Sequence, residues 1–234
     1  MIRFYIHPTT NPLKVALFLE EAGLPYEVVP VDTRKGEQHA AAFRAINPNG
    51  KLPAIVDTDG AGGVAVRVFD SSASCFISPT RSGASPARPP IAGNCFPGRC
   101  SSAGIGPYSG QAVHFQRAAP EKLPYAVNRY RREAERHYAV LDAQLAGRSF
   151  IVCKDLTIVD MSAWGWIDRA PVVLTGSDDP LAAFPNLKRW FQAIDARPAV
   201  ARARIVGSNH AFKQEVDEVA KRALFPSNYP ATTA

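Results

Sequence analysis

The chain has 234 residues, 46% of them hydrophobic and 21% charged, with a formal charge of +6. That is enough for one large or two small domains with a sizeable core. No apolar run approaches the roughly 20 residues of a membrane helix. The opening "MIRFYIHPTTNP" lacks the apolar core and small-residue cleavage site of a leader peptide, so a cytoplasmic protein is expected. Half of the surplus charge comes from Arg81, Arg88 and Arg99, in a stretch from Ser74 to Ala103 that contains no acid. No basic helix or interleaved aromatic stripe accompanies it, so neither nucleic acid nor a membrane is an expected partner. Cys75, Cys95, Cys100 and Cys153 read as free thiols in a reducing compartment. Cys95 and Cys100 lack zinc-ligand spacing, and no metal is expected.

Residues 2 to 6, "IRFYI", are strand-like, with β-branched and aromatic residues. "NPLKVALFLEEAGL" follows as a helix, with Gly23 placed to cap its C-terminus. "YEVVPVD" is a second strand, and Pro30 within it predicts a sheet edge or a bulge. "GEQHAAAFRAINPNGKLP" carries a short helix and then a turn over Asn47, Pro48, Asn49 and Gly50. "AIVD" and "VRVFD", joined by "TDGAGG", form a hairpin. Asp70, Ser71 and Ser72 then open a helix. The order βαβα, hairpin, helix describes a small α/β layer domain.

From Pro107 the chain reads helical. In "YAVNRYRREAERHYAVLDAQL", Val127, Tyr130, Ala134, Tyr138, Leu141 and Leu145 recur every three or four residues, the buried stripe of an amphipathic helix. "LTIVDMSAWGWIDRA" is a second helix, capped by Thr157 with Asp160 as the partner three residues on. "FPNLKRWFQAIDARPAV" is a third, and the tail "FPSNYPATTA" reads as poorly ordered.

Four motifs in this sequence resemble those of the glutathione transferases. "NPNGKLPAIVD" is similar to the segment before the family's cis-proline. "FDSSA" resembles its acid-Ser pair, and "LTIVDMSAW" its C-terminal capping-box helix. "GIGPYSGQAVHFQRAAPEKLPYAVNRY" resembles the nu class, bacterial transferases with disulfide-reductase behaviour. The resemblance implies the glutathione transferase architecture, an α/β thioredoxin-like N-terminal domain plus an all-α C-terminal domain. We place the boundaries at 1–88 and 104–234.

The helix opened at Asp70 is not continued. Where the family has Ile-Leu-Leu-Tyr-Leu-Ala-Glu-Lys, this chain has "SCFISPTR". Reading those codons one base earlier permits Ile, Leu, Leu, Tyr or His, Leu, Ala, Asp and Lys. The same shift turns "CFPGRCSS" into Leu-Leu-Ser-Trp-Pro-Met-Phe-Ile. Residues 74–103 are therefore expected to be a frameshifted stretch, bounded by compensating changes near Ala73 and Gly104. A long irregular loop inside a compact domain would be unusual.

The resemblance also implies a site. Pro53 would be cis, turning the Leu52 backbone outward to pair with glutathione as an added strand. Ser71, at a helix start, would hold the γ-glutamyl carboxylate, and Asp70 would face the amino group. Gln38 and Lys51 match further glutathione contacts. Arg129 and Arg136 lie seven apart on one helix face with Glu133 between them. They read either as a surface ion-pair ladder or as a reach to glutathione across a dimer. Pro8, Thr9 and Asn11 match the nu-class Pro-Thr-x-Asn turn, so the Thr9 hydroxyl and Asn11 would donate to the glutathione sulfur and favour its thiolate. Tyr108, Gln111, His114 and Phe115 would line the second-substrate side. His7, Tyr5 and the glycines near Tyr108 read as structural.

The implied function is a homodimeric glutathione-dependent disulfide reductase or glutathione transferase. Bound glutathione is the co-substrate, and a small disulfide or electrophile is the partner. The alternative is a glutathione-binding or regulatory protein without activity, or the impaired product of a frame-damaged gene.

Overall fold

Residues 2–6 become β1 (Ile2–Ile6) of a four-stranded sheet because Ile2, Phe4 and Ile6 share one buried face. The computed structural model describes residues 1–60, 63–74 and 104–229. The stretch read as frameshifted, with Cys75, Cys95 and Cys100, lies outside the described residues except for Ser74. The chain divides into two compact units, Met1–Ser85 together with Arg202–Ala234, and Pro86–Ala201.

In the first unit, β1 leads to α1 (Thr10–Ala22), β2 (Tyr26–Pro30), a 3-10 turn (Glu37–His39), α2 (Ala41–Arg44), β3 (Ala54–Asp57), β4 (Val66–Phe69) and α3 (Ser71–Ser74). The strand order is β2-β1-β3-β4, with β1 and β2 parallel and both other pairings antiparallel. Pro30 ends β2 on a sheet edge, where its missing N–H costs no ladder bond. Tyr5 and Ala54 lie opposite one another, and with Val31 they pack against Phe43 of α2. Gly23 takes φ 62° and closes α1, its N–H pointing back to the Glu20 carbonyl. Gly50, at φ 62°, closes the 47–50 turn, in which the Asn47 side chain accepts from Asn49 N–H and donates to the Lys51 carbonyl.

The second unit is helical, with α4 (Ile105–Arg117), α5 (Pro124–Gln144), α6 (Ile158–Ile167), α7 (Ala170–Val173), α8 (Pro185–Asp195) and the start of α9 (Pro198–Arg204). The α5 stripe is buried from Ala134 through Tyr138, Leu141 and Leu145, while Val127 and Tyr130 are half-buried. Thr157 and Asp160 form the reciprocal capping box of α6. Asp160, fully buried, also accepts from Ile151 N–H at 2.9 Å and the Trp190 indole at 3.0 Å, which joins α6 to α8. The first turn of α8 is capped from α5, because Asp142 accepts from Asn186 N–H at 2.7 Å and Leu187 N–H at 2.9 Å. The tail contributes α10 (Glu218–Leu224) and a 3-10 turn (Pro226–Asn228) to the first unit. So part of the segment expected to lack order is regular structure.

Candidate functional site

Strand register brings the predicted residues of the first unit to one end of the sheet. Ile6, the last residue of β1, lies opposite Pro30, the last of β2. Tyr5 faces Ala54, the first residue of the antiparallel β3, and Ala54 faces Phe69, the last of β4. The four connections that leave this end carry Thr9 and Asn11, Gln38, Lys51 to Pro53, and Asp70 with Ser71. Residues up to 62 positions apart in sequence thus converge because pairing, not chain proximity, places them.

The turn after β1 is exposed at Pro8 and Thr9 and becomes buried within one helical turn. Thr9 is the N-cap of α1, with an extended backbone, but its side chain caps no N–H. Its hydroxyl instead donates to the His7 carbonyl at 3.3 Å. Asn11 is half-buried, and its Oδ1 accepts from Lys14 Nζ at 2.9 Å. Lys14 is only 3% exposed. It lies three residues beyond Asn11, on the same helix face. Its place inside a run of buried apolar residues was the signal that sequence reasoning passed over.

The Leu52–Pro53 peptide bond is cis, as the resemblance implied. Leu52 is half-buried, and among the described residues its N–H and C=O have no hydrogen-bond partner. Asp70 has φ 102°, a conformation that L residues other than Asn and Asp seldom adopt. It delivers the chain into α3, where its carbonyl accepts from both the N–H and the hydroxyl of Ser74. Ser71, 9% exposed, is the first residue of that helix. Lys51 is exposed.

Gln38 differs from the other members of the group. It is buried, and its amide nitrogen donates to the Ala223 carbonyl of α10 at 2.9 Å. Its Oε1 is buried with no partner among the described residues. The C-terminal segment therefore already occupies the donor expected to serve glutathione. The same segment closes over His7 and Asp32. Asp32 is fully buried and accepts from Lys213 N–H at 2.7 Å and Arg34 N–H at 3.0 Å. Burial pushes its carboxyl up, but those two N–H groups, with His7 and Lys35, outweigh it and hold the carboxyl below its ordinary value. His7 lies 3.7 Å from Asp32, is edge-on to Phe212, and accepts from Thr33 N–H through Nδ1. Burial holds its imidazole below the ordinary value, against the pull of Asp32.

In the second unit, Arg129 and Arg136 both bind Glu133, at 3.2 and 2.7 Å. Hydrogen bonds from Arg136, and secondarily from Arg129, hold the Glu133 carboxyl down at about 2. This is the ion-pair ladder that the spacing allowed. Tyr108 stacks on His137, with ring centroids 5.3 Å apart, and His137 lies 3.6 Å from Glu133. His114 meets Phe115 edge-on, and Phe115 stacks on Tyr130. Gln111 is exposed. Tyr108 and Phe115 thus tie α4 to α5. Gly106 lets α4 approach α6, since a Cβ there would lie 2.6 Å from Trp166 Nε1. Among the described residues, no group of three His, Cys, Asp or Glu side chains could hold a metal ion. No described helix is long and apolar enough to cross a membrane.

A four-stranded mixed sheet with a cis-proline before β3 and a positive-φ acid before α3, followed by a helical unit, defines a two-unit thioredoxin-like class of protein. Residues 10–76 match the family described as glutathione S-transferase, N-terminal domain, and residues 124–193 match glutathione S-transferase, C-terminal domain. The disulfide-bond oxidoreductase YfcG of Escherichia coli (strain K12) is 36% identical, covering 87% of this chain and 94% of its own length. A second protein of that organism, the disulfide-bond oxidoreductase YghU, is 30% identical over 97% of this chain and 82% of its own length. A glutathione transferase from Burkholderia graminis, solved with two glutathione molecules per subunit, superposes with a TM-score of 0.76. It is 30% identical and covers 89% of each chain. A glutathione transferase from Pseudomonas putida, solved with one glutathione disulfide per subunit, gives a TM-score of 0.72. Its identity is 27%, over 87% of this chain and 90% of its own. The chain belongs to the glutathione S-transferase family.

Proposed function

We propose that this protein is a glutathione-dependent disulfide oxidoreductase that uses the sulfur of bound glutathione as its nucleophile. The observation that carries this reading is the convergence at one sheet end of the Thr9–Asn11 turn, the Leu52 main chain and the Asp70–Ser71 helix start. No described cysteine lies at that end; the described cysteine, Cys153, is in the other unit. A site with donors, a Leu52 main chain without a hydrogen-bond partner among the described residues and no described thiol suits a ligand that brings one.

In this reading the Leu52 N–H and C=O pair with the cysteinyl residue of glutathione. Ser71 and the N–H groups at the start of α3 hold the γ-glutamyl carboxylate, and Asp70 faces the amino group. Lys51 reaches the remaining carboxylate. The glutathione thiolate attacks one sulfur of a disulfide, forming a mixed disulfide and expelling the other sulfur as a thiolate. A second glutathione thiolate attacks the mixed disulfide, giving glutathione disulfide and the second substrate thiolate. Tyr108, Gln111, His114 and Phe115 are assigned to the second substrate. The assembly is proposed to be a cytoplasmic homodimer, with Arg129 or Arg136 exchanging Glu133 for a glutathione carboxylate.

Isothermal calorimetry with reduced and oxidised glutathione tests the binding. Heat with both supports the reading, and silence from well-folded protein with both ends it. Ser71→Ala should weaken glutathione by about 1–2 kcal/mol, the loss of a hydrogen bond to a charged group. Turnover separates the chemistry. Glutathione-dependent reduction of a small linear disulfide faster than conjugation of a chloronitrobenzene is the expected order.

A further inference from the structure

We propose that Lys14 is a positioning residue that sets the orientation of the Asn11 amide so that its NH2 group, not its oxygen, faces the glutathione sulfur. The inference rests on the glutathione reading above. A side-chain amide is two-faced, with an acceptor oxygen and a donor nitrogen, and only the second can hold a thiolate. Nothing about an asparagine alone selects the donor. Here Lys14 Nζ, which only donates, lies 2.9 Å from Asn11 Oδ1 and fixes the oxygen on its own side. The nitrogen is thereby left for the opposite side of the turn.

Two observations make this more than a local contact. Lysine is seldom fully buried, yet Lys14 is 3% exposed, between the buried residues Pro12 and Val15 of α1. And the other side chain of the turn is engaged, since the Thr9 hydroxyl gives its hydrogen to the His7 carbonyl. Asn11 Nδ2 is then the donor of the Thr9–Asn11 pair that needs no rearrangement to meet a thiolate. A cation on the amide oxygen also polarises the amide, which strengthens the N–H donor on its far side.

The test measures the pKa of bound glutathione from its ultraviolet thiolate absorption, with affinities for glutathione and for S-methylglutathione, which cannot ionise at sulfur. Lys14→Met should raise the thiol pKa by about one unit, toward the value in Asn11→Ala. It should weaken glutathione several-fold while leaving S-methylglutathione within about twofold, and Lys14→Arg should restore most of the loss. An unchanged thiol pKa overturns the inference, and so does an equal loss of both ligands, which is what a purely structural lysine gives. Should Lys14→Met not fold, Asn11→Asp keeps a partner for Lys14 but removes the donor. A raised thiol pKa there supports the assignment, and a wild-type value overturns it. Wild-type protein that binds neither ligand brings down the glutathione reading and this inference with it. Retained binding with an insensitive thiol removes the inference alone.

Discussion

His7 and Asp32 show how burial converts single residues into pH-dependent stability. Both have folded-state pKa values below their ordinary ones, 6.5 and 3.8. A depressed value means that the unfolded chain takes up the proton first as pH falls, so the stabilisation is full above the ordinary value and fades below it. His7 is the first to act. Chemical unfolding should show stability falling as pH drops from about 7 to 5, with a further loss from Asp32 below about 4. His7→Gln should shrink the first phase, to which the partly buried imidazoles of His114 and His137 also contribute, and should reduce the second, because His7 helps to hold Asp32 down. Asp70 is a residue of another kind, held at φ 102°. Asp70→Ala should cost about 1–2 kcal/mol of stability, because alanine has no polar side chain to favour that backbone, whereas Asp70→Gly should cost less.

At the scale of elements, the helices of the second unit are joined by a few buried groups. Asp160 accepts from Ile151 N–H, Thr157 N–H, the Thr157 hydroxyl and the Trp190 indole. Asp160→Ala strands all four donors in the interior. Urea unfolding should register a loss of about 3–5 kcal/mol, far beyond the roughly 1 kcal/mol of an ordinary exposed cap. Gly106→Ala forces a methyl group against the Trp166 ring, with the nearest atoms at 2.6 and 3.0 Å. That overpacking should destabilise by about 1–3 kcal/mol, and Trp166→Leu in the same chain should recover part of it. The capping box was legible because Thr157 and Asp160 stand at a fixed local spacing. The indole that completes it comes from 30 residues away and left no mark in the pattern.

At the scale of the molecule, the C-terminal segment belongs with the N-terminal sheet. It supplies Lys213 N–H to Asp32, the Lys213 and Gln214 carbonyls to Arg34, and the Ala223 carbonyl to Gln38. Ending the chain at Val206 should destabilise the first unit by about 3 kcal/mol or more, because a buried carboxylate loses a donor. Thermal unfolding checks it. The frame reading of residues 74–103 belongs to this scale too. The nucleotide sequence across codons 70–106, with the intact mass of the protein, checks it directly.

The sequence by itself determined what depends on neighbours along the chain. The β-branched and aromatic content of residues 2–6, the Gly23 cap, the Pro30 edge, the Thr157–Asp160 box and the α5 stripe are local signals. Local sterics and hydrogen bonding write them wherever they occur. With a family resemblance, the motif around Pro53 also foretold its cis bond. Only the tertiary structure decided which side chains were already engaged. Gln38 is taken by Ala223, 185 residues on, the Thr9 hydroxyl by a main-chain carbonyl, and the Asn11 oxygen by a buried lysine. Such pairings depend on which polar groups packing leaves together out of water, and that is settled by the fold as a whole.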